Sequence, residues 1–136
     1  MEDYWDILEI NSKVFSEATH RKIACTFSRL LWNELDELGR NALIAAEDYS
    51  MGKETIETCA DYQKQLQKFL PGDGKSIPYS AVIWALQMPT DSYPMWYCAA
   101  IVGVNIIDLK AATNKELCAI VKKITGDPLN HAETGA

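Results

Sequence analysis

Trp96, Ala99, Ala100, Val102, Gly103, Ile106 and Ile107 leave hardly any side of a helix without an apolar residue. A helix of that kind is stable only where neighbours cover it nearly all round, in the middle of a bundle or within a membrane. The apolar run from Met95 to Leu109 includes Asn105 and Asp108 and falls short of the ~20 apolar residues that span a bilayer. It therefore reads as the hydrophobic spine of a helical domain, with no membrane span, and the rest of the chain must supply its cover.

That cover is written in helical periods. Tyr4, Trp5, Ile7 and Leu8 form a short amphipathic run between Asp3 and Leu8. Ser16 is placed to cap a second helix, expected from Glu17 to about Leu35, with Ile23, Phe27, Leu30 and Leu31 as its apolar stripe. A polar corner from Asp36 to Arg40 follows, in which Asp36 caps a third helix with a small-residue face of Ala42, Leu43, Ala46 and Tyr49. Gly52 suits the left-handed conformation that ends helices. A fourth helix is expected from about Glu54 to Phe69, with Ile56, Cys59, Tyr62, Leu66 and Phe69 or Leu70 at core spacing.

Pro78 fits the first turn of a fifth helix that continues to about Met88, and Pro94 opens the spine. Thr113 and Glu116 have the spacing of a capping box ahead of Leu117, Ile120, Val121 and Ile124, and Gly126 and Pro128 close that last helix. No run alternates as a half-buried strand would. The expected fold is all-α, a single-domain bundle of about six to seven helices over residues 1–136, with the loop at 71–76 as a candidate hinge.

Nineteen acidic residues against 13 basic ones give a net charge of −6. That balance works against a phosphate-backbone binder, which draws its affinity from Lys and Arg, so no nucleic-acid partner is expected, and it suits a basic protein partner, whose encounter an acidic surface speeds. The amino terminus starts Met1, Glu2, Asp3 and lacks the features of a secretion signal, so a cytoplasmic location is expected. Cys25, Cys59, Cys98 and Cys118 are far apart, without zinc or redox spacing, and read as reduced, buried thiols.

His20 and His131 have no partner at helical spacing, so neither a metal nor a cofactor is expected. Gly72 to Ser76 echoes only the end of a phosphate loop. Cys25 lies four residues from both Arg21 and Arg29, a setting that would favour a thiolate, yet no base accompanies it. No residue pattern specifies a reaction, and a protein without catalytic activity is expected.

Two sets of residues stand out instead. Arg21 and Arg29 on the second helix, with Arg40 and Glu47 on the third, are placed for a salt-bridge network across the helix pair. Four Trp and six Tyr are more large aromatics than one small core requires. Met88, Tyr93, Met95 and Trp96 gather around Pro89 and Pro94 as a candidate adhesive patch, and the acidic Glu34, Asp36 and Glu37 are further candidate partner contacts.

Arg21, Ala24, Cys25, Arg29, the corner ending at Arg40, then Ala42, Ala45, Ala46, Tyr49 and Gly52 together resemble predicted all-helical immunity proteins of bacterial polymorphic-toxin systems. A similar run, followed by a segment like Leu117 to Pro128, also occurs in uncharacterised bacterial helical proteins. The first resemblance implies a protein that binds and neutralises a cognate toxin, expected to be basic. The alternative, from the aromatic content, is a helical protein-interaction or self-assembly module.

Overall fold

The computed structural model describes residues 3–69, 76–126 and 128. Among these there are seven α-helices and no strand: α1 (Tyr4–Ile10), α2 (Glu17–Arg29), α3 (Glu37–Ser50), α4 (Ile56–Gln67), α5 (Ser76–Leu86), α6 (Met95–Asp108) and α7 (Asn114–Thr125). The all-α single-domain expectation holds. The candidate hinge at 71–76 lies, except for the backbone of Ser76, outside the described residues.

Local chemistry sets the starts. Asp3, Ser16, Asp36 and Thr55 each accept a hydrogen bond from a free N–H of the helix they open, and Thr113 and Glu116 form a reciprocal capping box. Helix α3 ends with Gly52 at φ +75°, its N–H bonded to Tyr49 O and that of Lys53 to Asp48 O. Helix α6 ends in the same pattern, with Lys110 at φ +57°.

Helices α2, α5 and α6 pack against one another in the centre; α3 and α4 cover one side and α1 and α7 the other. The spine expectation needs two changes. Helix α5 is the more enclosed element, with Tyr79, Ala81, Val82, Ile83, Ala85 and Leu86 all buried. Helix α6 buries Cys98, Ala99, Ala100, Val102, Gly103 and Ile106 but leaves Val104 and Ile107 exposed. Helix α2 stops at Arg29, short of Leu35: Leu30 and Leu31 shift to i→i−3 bonds and a 3₁₀ turn follows at Trp32–Glu34. The tightening turns Leu31 and Leu35 inward and leaves Leu30 exposed. Ile56 and Phe69, expected in the core, are also exposed, since α4 fully buries only Cys59 and Leu66, and Leu70 lies outside the described residues.

Helix α1 lies close on α6 because position 103 is glycine. A Cβ there would overlap the Tyr4 ring, whose hydroxyl donates to Ala100 O at 2.8 Å. The Tyr4 N–H donates to Asn114 Oδ1 at 2.8 Å, tying α1 to the start of α7.

Candidate protein-binding face

The docking of α1 places Trp5 beside the first turn of α6. Its ring lies edge-to-face with Trp96 (6.0 Å) and Tyr97 (5.7 Å). Tyr97 contacts Trp84 of α5 at 6.2 Å, and Tyr93, from the loop before α6, reaches Trp84 at 5.5 Å and Tyr97 at 5.9 Å. Five rings from three helices and a loop thus form one continuous array. Mutual hydrogen bonds between Thr90 and Tyr93 shape the loop, and Pro94 then caps α6.

The rings are half-buried, and Tyr93 is 45% exposed. None of the indole N–H groups of Trp5, Trp84 and Trp96, nor the hydroxyls of Tyr93 and Tyr97, has a hydrogen-bond partner among the described residues. An apolar ring with a free donor at its edge is the group that protein interfaces favour at their centres. Close to the rings along the chain are Asp6, next to Trp5, Glu9 of the same helix, and Asp91, two residues before Tyr93, all exposed and without ion pairs among the described residues. Glu9 shares the Trp5 side of α1, four residues on.

The expected contact residues separate. Tyr93 and Trp96 belong to the array, whereas Met88 is half-buried with its sulfur 4.0 Å from Arg21 Nη2. Met95 does not belong at the surface. At 4% exposure it is a core residue, because the first turn of α6 points it inward when Trp96 points out. Glu34, Asp36 and Glu37 are exposed at the α3 corner. The Asp36 carboxylate there is already engaged, accepting from Gly39 N–H at 3.0 Å and from the Tyr79 hydroxyl at 2.7 Å. Tyr79 is toward the N-terminal end of α5 and Trp84 toward its C-terminal end, so the corner and the array are distinct places.

The expected four-residue network also divides. Arg29 forms a two-pronged pair with Glu47, at 2.7 and 2.9 Å, and stacks on Trp32 at 4.1 Å. Arg40 joins it only through Trp32, 5.0 Å from the ring and donating to the Trp32 carbonyl at 3.0 Å. Arg21 is elsewhere, fully buried among α2, α3 and α5. Its Nη1 donates to Ala85 O at 2.8 Å, its Nη2 pairs with Glu17 at 3.1 Å, and it lies over the Tyr49 ring at 4.9 Å. Ala85 O is one of the last carbonyls of α5, which lack partners within the helix; Gln63 of α4 donates to another, Ile83 O, at 3.3 Å. Arg21 therefore caps α5 and is no part of the α2–α3 surface network.

Cys25 is buried, and burial, with Glu47 adding to it, pushes its thiol up to about 12 against the opposing pull of Arg21 and Arg29. It is protonated at neutral pH, the reverse of what a nucleophile requires. No group of three or more His, Cys, Asp or Glu able to hold a metal occurs among the described residues, and no helix there is long and apolar enough to cross a membrane.

No protein-family model, curated protein or solved structure matches this chain. The face is therefore read from its own chemistry. Sequence reasoning reached Tyr93 and Trp96 through their clustering around two prolines. It did not assign Trp5, Trp84, Tyr97 or Asp91 to a surface, because their only signal was the aromatic count and the acidic balance.

Proposed function

We propose that this chain is a non-catalytic binding protein of the immunity kind, which covers a cognate, basic toxin domain in the cytoplasm. The observation that carries the reading is the five-ring array with free donors at its edges and unpaired carboxylates close to its rings along the chain. Aromatic centres supply most of the energy in protein interfaces, and a rim of one charge selects a partner of the other. The net charge of −6 acts in the same direction, and like charge on two copies disfavours self-association through this face. Four buried free cysteines suit a reducing compartment.

The test is co-expression with the toxin gene encoded beside it. Cells are expected to survive only when this chain is present, and Trp5→Ala with Tyr93→Ala should abolish protection while the protein remains folded. Equal killing with and without the chain overturns the reading.

A further inference from the structure

Beside the array is a cavity of about 350 Å³ between the start of α2 and the loop before α6. Trp96, Pro89 and Pro94 form its apolar wall, and Glu17, His20 and Asp91 bring the titratable groups to it. His20 is 2% exposed, and its Nδ1 has no hydrogen-bond partner. Its Nε2 faces Ser12 O at 3.4 Å, a contact that favours the tautomer with the proton on Nε2, in which Nδ1 is an acceptor. Burial lowers the basicity of the ring and keeps it neutral at pH 7. Glu17 is shared with Arg21, whereas Asp91 has no ion pair among the described residues. All three groups are thus acceptors, set against an indole. A ligand that satisfies such a lining is a cation that is flat, rich in donors and able to stack.

Resting on the reading of a basic protein partner, we propose that this cavity is the socket for one arginine side chain of that partner, held by the Trp96 ring, Asp91 and His20. The guanidinium matches a lining whose titratable groups offer acceptors, and whose Ser12 and Thr90 hydroxyls can accept as well, better than an ammonium does, because its planar donors reach several acceptors while its face lies on the indole. The socket adjoins the aromatic array through Trp96, so one docked surface would fill the cavity and cover the rings together.

The probe is N-acetyl-L-arginine methylamide, titrated into the full chain and followed by NMR at the Trp96 indole and His20 ring signals. Its neutral counterpart, N-acetyl-L-citrulline methylamide, is the comparator. The arginine amide should shift both signals saturably, and the citrulline amide should not at the same concentrations. Asp91→Asn, in an exposed loop, should weaken the response roughly fivefold with the rest of the spectrum unchanged, and Glu57→Gln on distant α4 should leave the response as it is. Equal responses to the two amides, silent cavity signals or indifference to Asp91→Asn would each overturn the socket. If the chain protects cells while its cavity ignores the arginine amide, the socket is wrong and the immunity reading stands. If the amide binds as described and no protection occurs, the immunity reading fails and the socket stands.

Discussion

Arg21 and Arg29 are two turns apart on one helix and have opposite fates. Arg29 stays at the rim, where the Glu47 pair is exposed to solvent and worth little. Arg21 is buried with one half-exposed carboxylate as counter-charge, and its Nε has no partner. Truncating it would leave Ala85 O unpaired at the end of α5 and a void among three helices. Urea denaturation is expected to show a loss of about 3–5 kcal/mol for Arg21→Ala and below about 1 kcal/mol for Arg29→Ala. Similar losses for the two would show that Arg21 is no more structural than its neighbour. Sequence spacing put both arginines in one network because it records position along a helix and not what lies opposite.

At the scale of elements, the seating of α1 depends on the absence of a side chain at Gly103. Alanine in a helix interior is ordinarily better than glycine by about 1 kcal/mol. Here the sign reverses, since the added methyl would meet the Tyr4 ring. Gly103→Ala is expected to cost about 1–3 kcal/mol and to disturb the tryptophan emission by moving Trp5 away from Trp96 and Tyr97. Adding Gly103→Ala to a Tyr4→Leu chain should cost less than adding it to the parent, and strict additivity in that double-mutant cycle would rule out the clash. The apolar run of α6 was legible as a helix needing cover, but not that α1 would provide it at position 103. The ends of α3 and α6 make a parallel case. Gly52 announces a left-handed residue, whereas Lys110 occupies the same conformation with no residue type to signal it.

For the molecule as a whole, buried titratable groups set both limits of a stability–pH curve. His20 is held below its ordinary pKa, chiefly by burial, with the Ser12 and Asn11 carbonyls opposing in part. Below pH ~6.5 the unfolded chain takes up this proton before the folded one does, so stability is complete above that pH and falls as the pH drops through it. At the other limit, burial pushes Cys25 to about 12 and Cys98 to about 11, so the unfolded thiols ionise first and stability falls as the pH rises from ~9. Unfolding free energies from urea titrations between pH 5 and 7 should decline toward acid in the parent chain by up to ~1.4 kcal/mol per pH unit. His20→Gln should flatten that slope, and an unchanged slope would remove His20 as its cause.

The caps at Ser16, Asp36 and Thr113, the prolines at 78 and 94 and the glycine at 52 were enough for the sequence by itself to determine that this chain is helical and where most helices begin. Each such signal acts within a turn or two of backbone, over distances the linear order already contains. Only the tertiary structure decided that Met95 turns inward, that α5 is as central as α6, that Arg21 caps a helix remote in sequence, and that rings from positions 5, 84, 93, 96 and 97 meet. Those outcomes depend on how helix faces interlock, which one methyl group at position 103 would alter, and periodicity shows that a face is apolar without showing which neighbour covers it.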